Sequence, residues 1–399
     1  LLNVGHFLDH LFMLIFATVA ALALYQEWGI DYAKLLTYAT SGFVAFGLFS
    51  LPAGWLADKW SRDGMMSLFF LGAGMASILT GFAQTPFQIS LGLFVVGMFA
   101  AIYHPVGLSI VTTRWQNSGK RIAINGVWGN LGVAGATLIT GLLIDYSGWR
   151  SAFIVPGVFS IIIGLLYIKL HAQYIRVEQA NNKKDPVKTA QISSAEHRAF
   201  LLRIAVIILI TSAMASIIFQ AGSFSLPKIF DERLKDLMAG LSSWSSFFTN
   251  NNATAIGLIT SIVFITASIG QLIVGYLLDR IPVKQVFILV ASTQCLFFAL
   301  MPGLTDLSAL LVALGFMLGA FGQIPINDFV IGQVASSEYR AQIYGLRYII
   351  SASGHALTLP MVAWVYQNWG FDTLFWLLSF AALLIFIAAS FLPKVLVKS

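Results

Sequence analysis

Apolar residues run along this chain in blocks of about twenty, the length needed to cross a hydrocarbon core as a helix. Short groups of charged residues, or clusters of proline and glycine, separate the blocks. The breaks divide the chain into twelve predicted helices near 3–25, 35–57, 65–83, 87–112, 122–144, 150–171, 200–223, 256–278, 284–302, 307–331, 341–366 and 371–392. Within several blocks the few polar residues keep helical spacing. His6, Asp9, His10 and Met13 follow the i, i+3, i+4, i+7 rule, and Ser212, Ser216 and Gln220 recur every fourth residue, as do Arg347, Ser351 and His355. An all-α polytopic membrane protein is the fold class this pattern predicts.

The pattern is written twice. Gly54-Trp-Leu-Ala-Asp58-Lys59 is echoed by Gly275-Tyr-Leu-Leu-Asp279-Arg280. At nearly the same offset Pro105 pairs with Pro325, Arg121 and Gly126 with Arg340 and Gly345, and Gly148-Trp-Arg-Ser-Ala-Phe153 with Gly370-Phe-Asp-Thr-Leu-Phe375. Echoes in one order argue for duplication. The halves are expected at 1–171 and 199–399, joined by a polar linker at 172–198 that centres on Asn181-Asn182-Lys183-Lys184-Asp185-Pro186. A duplicated helical bundle suits a protein that opens a midline cavity alternately to the two sides of a membrane.

Composition agrees with this reading: of 399 residues, 58% are hydrophobic and 10% charged. The net charge of +6 would suggest nucleic acid in a soluble protein, but its distribution argues for a membrane instead. With twelve spans, seventeen lysines and arginines fall on one side and five on the other, leaving only Arg347 inside a span. By the positive-inside rule both termini and the linker are cytoplasmic, here in a bacterial inner membrane. Segment one lacks the basic start of a signal peptide, and the absence of an initial methionine suggests that natural residues precede Leu1. Cys295 is the single cysteine, which excludes an internal disulfide and a cysteine metal cluster.

The connection 224–255 has its own pattern. Ile229, Phe230, Leu234, Leu237, Met238 and Leu241 keep helical spacing, with Asp231, Glu232, Lys235 and Asp236 opposite. This predicts a short helix in the outer membrane interface, followed by Trp244, Phe247 and Phe248 as interfacial aromatics.

The run Gly54-Trp55-Leu56-Ala57-Asp58-Lys59-Trp60-Ser61-Arg62 resembles the loop signature of the major facilitator superfamily, with Ser61 in place of a second glycine and Asp63 in place of a basic residue. The resemblance implies two six-helix halves, a central cavity lined by segments one, four, seven and ten, and a cytoplasmic latch formed by Gly54, Asp58, Lys59 and Arg62. In such a latch Asp58 would sit at a helix N-terminus of the other half, a contact worth about 0.3–1 kcal/mol. Gly5-His6-Phe7-Leu8-Asp9, Tyr103-His104-Pro105-Val106-Gly107 and Arg121-Ile-Ala-Ile-Asn125-Gly126 resemble the fosmidomycin-resistance branch. Drug/proton antiporters of the superfamily carry an arginine where Gly97 stands, and a Gly-Pro motif where Gly129-Asn130 stands.

Ionisable groups inside spans cost about 2.5–3.5 kcal/mol each on insertion scales and mark candidate function. Asp9 and Asp328 are the candidate proton carriers. His6, His10, His104, Asn125, Gln220, Asn327, Arg347 and His355 are the candidates for the substrate cavity. His104 has a local alternative, a bond to a backbone carbonyl freed by Pro105. Arg347 has two readings: its planar fork suits a carboxylate or phosphate of the substrate, or it neutralises Asp328 or Asp9. His6 and His10 have metal-ligand spacing, but the sequence supplies no dense second set of ligands, so no metal and no cofactor is expected. HExxH, Gly-x-Ser-x-Gly and phosphate-loop motifs are absent, which leaves hydrolysis and ATP-driven pumping without their chemistry. The expected activity is proton-coupled secondary transport by a monomer, with export of a small anionic or zwitterionic compound favoured over uptake.

Overall fold

The computed structural model describes the backbone of residues 1–114, 118–178, 195–334 and 337–393 and, within these, the side chains outside 112–120, 122–123, 171–201, 247, 332 and 334–348. Among the described residues the chain is all-helical. Helix α1 runs Leu2–Glu27 through a π turn at Ala20–Leu24, α2 is Tyr32–Lys59 and α3 is Arg62–Gly81. Helix α4 comes in two parts, Pro86–Ala100 and Tyr103–Arg114; α5 is Ser118–Ser147 and α6 is Trp149–Glu178. Helix α7 is Ala195–Arg233, α8 is Asn252–Leu278, α9 is Val283–Leu300 and α10 is Asp306–Val334. The final helical stretch, Ser337–Ser390, is divided at Gly370 into α11 and α12.

Among the described residues eleven stretches are long and apolar enough to cross a membrane, and the last of them, Ile349–Ser390, has 42 residues. A straight helix of that length would extend about 63 Å, twice a hydrocarbon core of about 30 Å. Gly370, with φ 73° and ψ −175°, breaks it and yields the twelfth segment. Gly148, its counterpart in the first repeat, has φ 78° and ends α5. The duplicated glycine therefore takes the same left-handed backbone twice, where a side chain would be strained.

Side-chain caps start the helices the sequence marks. Asp31 accepts from Ala33 N at 2.8 Å, Ser61 from Gly64 N at 3.0 Å and Thr85 from Gln88 N at 3.3 Å. Ser61, a departure from the family pattern, is thus the N-cap of α3. Asp63, the other departure, is buried and accepts from the Tyr167 hydroxyl of α6 at 2.5 Å. Asp58 pairs with Arg62 at 3.0 Å within one turn of chain. The expected contact of Asp58 with a distant helix end is not among the described contacts.

Small residues bring helices within backbone contact, the usual means of association in lipid. A Cβ on Gly97 of α4 would lie 2.0 Å from the carbonyl oxygen of Gly42 in α2, and one on Gly132 of α5 would lie 2.3 Å from that of Phe7 in α1. Gly97 stands where the drug/proton antiporters have arginine, and this packing leaves no room for one.

By contact the chain falls into two compact units, Leu1–Lys184 with Phe224–Ile262, and Asp185–Ser223 with Val263–Ser399. The end of α7 and the start of α8 thus belong with the first repeat. Asp145 of α5 accepts from Thr254 N and Oγ1, both at 2.6 Å, capping the first turn of α8 from another helix. The Thr137 hydroxyl donates to Gly257 O at 3.2 Å.

The connection after α7 corrects the sequence reading. Helix α7 continues to Arg233 and buries Ile229 and Phe230, and Leu234 beyond it is buried too. A separate helix begins only at Lys235 and ends at Trp244. Lys228, which looked like a loop residue, is buried against Asp231 at 2.9 Å and Glu232 at 3.5 Å, with its ammonium 4.1 Å from the Tyr25 ring centre. Paired in this way, the charge does not end the helix. Trp244 is exposed and stacks on Phe248, in keeping with an interfacial position. The core of the 172–198 linker, residues 179–194, lies outside the described residues.

The close approach of α5 to α1 generates a stability test. Gly132→Ala should lower the thermal midpoint of the purified protein, because the new methyl meets backbone rather than a movable side chain. Gly126→Ala, on the same helix with nothing within 4 Å of its Cβ, should leave the midpoint unchanged or raise it. Equal behaviour of the two variants would refute the packing.

Candidate functional site

Three motif fragments far apart in sequence meet in the first unit. Helix α1 carries His6, Asp9 and His10, the second part of α4 opens with Tyr103 and His104, and α5 contributes Asn125. The break at Ala101–Ile102 re-aims α4 here, and Ala101 and Ile102 donate their amides back to Gly97 and Phe99 at 2.9 and 3.2 Å. Gly5 admits the Tyr103 ring against α1, since a Cβ there would lie 2.9 Å from it.

Tyr103 and Asn125 form a rigid polar floor. The Tyr103 hydroxyl donates to Leu2 O at 2.8 Å and accepts from Asn125 Nδ2 at 2.8 Å, while Asn125 Nδ2 also reaches Asn3 Oδ1 at 3.1 Å. His6 stacks on Tyr103, ring centres 4.9 Å apart, and its Nδ1 lies 2.7 Å from Asn125 O. A neutral His6 therefore donates from Nδ1 and keeps its lone pair on Nε2. That nitrogen lies 3.2 Å from His10 Nε2.

Asp9 is 1% exposed. Its Oδ2 lies 3.2 Å from His104 Nε2, a bond between α1 and α4, and its Oδ1 has no hydrogen-bond partner among the described residues. His104 thus takes Asp9 as its partner rather than the freed carbonyl considered as its alternative. His6, His10 and His104 each offer a ring nitrogen, and these nitrogens lie within 4.8 Å of one another. Helical spacing revealed two members of this triad; the third comes from tertiary structure, through the re-aimed start of α4. Gly129 lies under the triad, where a Cβ would come 2.6 Å from His6 Nε2. The antiporter Gly-Pro position is here a small-residue contact.

The other predicted cavity residues lie in the second unit. Asn327 of α10 accepts from the Thr211 hydroxyl at 2.9 Å and donates to Ser212 Oγ of α7 at 3.2 Å. Gln220 is buried, and its amide nitrogen has no partner among the described residues. Gln323 of α10, a further polar group of that span, accepts from Gln294 of α9 at 3.1 Å. Asp328 is exposed, unlike Asp9, and His355 is half-buried. Arg347 lies outside the residues whose side chains are described. Cys295 is half-buried beside the Ser379 hydroxyl at 3.5 Å. Gly54 sits beside Pro105, a Cβ there reaching 3.4 Å, while Asp58 and Lys59 are exposed at the end of α2.

The Major Facilitator Superfamily model matches residues 2–250 and 235–398. The chain belongs to that superfamily. It is a multi-span membrane protein of the superfamily type. Multidrug resistance protein MdtG of Proteus mirabilis is 25% identical over 364 residues, 88% of this chain and 85% of its own length. A probable hexose phosphate transport protein of Chlamydia trachomatis is 27% identical over 154 residues, 38% of this chain and 34% of that protein. With that relative the match thus spans about a third of the relative's length. Among solved structures, a bacterial homologue of the lysosomal transporter Spinster, inward-facing and unoccupied, superposes with a TM-score of 0.72 at 14% identity, covering 98% of this chain and 95% of that one. It shares the superfamily fold.

Tyr103→Phe tests the floor beneath the histidines. Loss of the hydroxyl leaves Leu2 O and one Asn125 donor direction without this buried partner, a cost of about 1–3 kcal/mol. A lowered thermal midpoint, with less protection of the α1 amides in hydrogen exchange, is the expected result. An unchanged midpoint would remove Tyr103 from the scaffold of the site.

Proposed function

We propose that this superfamily transporter exports a small anionic or zwitterionic organic compound by alternating access, driven by protons, with Asp9 as the proton carrier. The observation that carries the reading is the contact of Asp9 with His104 between α1 and α4. An acid enclosed in a transporter core and hydrogen-bonded from one helix to another supplies a site where proton binding and helix position are linked. The three fragments that resemble the fosmidomycin-resistance branch are the ones that build this cluster, which supports placing the protein near that branch. Export is supported by the match to MdtG over most of both chains. The anionic cargo rests on Arg347 as a guanidinium within a span, and on the hexose phosphate relative. Asp328 is the reserve proton carrier, and Gln220, Asn327 and His355 are the second-half candidates for cargo contact.

Uptake of an organic anion is the second reading, favoured by that same hexose phosphate match. Proteoliposomes with an imposed pH gradient and a trapped pH-sensitive dye separate the two by the sign of flux, using a hexose phosphate and a phosphonate as probes. Asp9→Asn should abolish gradient-driven flux and preserve the thermal shift that a bound probe produces. Normal flux in this variant would exclude Asp9 and pass the role to Asp328.

We place the protein in a bacterial inner membrane as a monomer, its two repeats at 1–171 and 199–399, and both termini and the linker in the cytoplasm. In a Cys295→Ser background, a cysteine at Lys183 should resist an impermeant thiol reagent added to intact cells. Labelling from outside would invert the topology.

A further inference from the structure

We propose that His6, His10 and His104 form a binding site for one divalent first-row transition ion of the Zn2+ class. The proposal concerns the cluster to which proton coupling is assigned, but it needs neither that assignment nor any direction of transport.

Three observations carry it. Three imidazole nitrogens lie within 4.8 Å of one another. In a tetrahedral site with metal–nitrogen bonds of about 2.0–2.1 Å, ligand nitrogens stand about 3.3 Å apart. His6 Nε2 and His10 Nε2 already stand at that spacing, 3.2 Å apart, and a shift of the His10 proton from Nε2 to Nδ1 frees both lone pairs for one ion.

The second observation is how the rings are supported. Ligating histidines donate their remaining ring N–H to a carbonyl or carboxylate, which fixes the tautomer and raises ligand basicity. His6 meets this condition through Asn125 O at 2.7 Å, and His104 through Asp9 Oδ2 at 3.2 Å. With those protons placed, His6 presents Nε2 and His104 presents Nδ1 as lone-pair donors. Structural rings need no such arrangement on two of three members.

The third observation is the charge. Asp9 is 1% exposed and its Oδ1 has no partner among the described residues, so a carboxylate oxygen is buried next to the triad without compensation. A cation on the neighbouring nitrogens supplies the missing positive charge, and a water bound to it would offer Oδ1 a donor. Burial of an unmatched acceptor is costly, so a partner at this place stabilises the unit.

Ligand type decides the class of ion. Three neutral imidazoles suit Zn2+, Co2+, Ni2+ or Cu2+ and disfavour Mg2+ and Ca2+, which take oxygen ligands. Three protein ligands leave the fourth tetrahedral position for water or an anionic group, the pattern of open sites rather than closed structural ones. In a transporter of organic anions that position is a place for a carboxylate or phosphonate of the cargo to coordinate.

The test uses the full chain purified in detergent and freed of metal with a chelator, with Co2+ as the spectroscopic probe. One equivalent of Co2+ should produce the strong visible absorption of a four-coordinate ion. Zn2+ should abolish that absorption stoichiometrically, and a large excess of Mg2+ should leave it. His10→Gln and His104→Gln should each lower Zn2+ affinity, read by competition with a chromophoric chelator, by more than the about 10–100-fold that follows loss of a supporting group. Asp9→Asn should fall within that about 10–100-fold range, and His355→Gln should bind as wild type. Thermal unfolding of each variant confirms that it is folded. Only the weak absorption of six-coordinate Co2+, or equal Zn2+ affinity in wild type and the folded His104→Gln variant, would overturn the site. These measurements are made without a gradient. Intact metal binding beside absent proton-driven flux would refute the transport reading alone.

Discussion

A carboxyl group enclosed in a helix bundle in lipid has no water to solvate it, and the first unit is organised around that constraint. Asp9 sits one helical turn above Gly5 in α1, where α4 and α5 both approach closely. Its partner, His104, stands in the first turn after the break of α4 at Ala101–Ile102. The glycines that allow helix axes to close, Gly5, Gly129 and Gly132, serve the same end by admitting Tyr103, His6 and the Phe7 backbone. Packing and chemistry are thus one problem here. A helix that stood an ångström or two farther away would leave both the acid and the histidines without their present partners.

The described polar pairs differ between the two units: the first gathers Asp9 and three histidines, while in the second Asn327 pairs with Thr211 and Ser212, and Gln294 with Gln323. Gly148 and Gly370, which echo one another in the sequence, both take a positive φ between two helices.

Much of the architecture was legible because lipid imposes a simple rule: apolar runs of fixed length, with charges at the breaks. The succession of spans and the echo of Gly148 in Gly370 follow from local sequence, whereas the caps at Asp31, Ser61 and Thr85 come from the structure. The end of α7 did not, because Lys228, Asp231 and Glu232 read as solvated charges until their mutual pairing within one helical turn is known. The site was half legible. Helical spacing exposed His6, Asp9 and His10, but nothing local in Tyr103-His104-Pro105 shows that α4 turns His104 onto Asp9. Nor could spacing show that Asp328, one residue from buried Asn327, is exposed. The polar stripe of the first segment already favours Asp9 over Asp328, and the structure adds its burial and its contact with His104.

The contact between Asp9 and His104 is the claim on which the account rests, and a double-mutant cycle measures it directly. Unfolding free energies of the wild type, Asp9→Asn, His104→Gln and the double variant, taken in one detergent, yield the coupling between the two side chains. The account predicts a non-additive cycle with a coupling of about 0.5–3 kcal/mol, the double variant losing less than the two single losses combined. Losses that add within about 0.3–0.5 kcal/mol, as for distant independent sites, would contradict it.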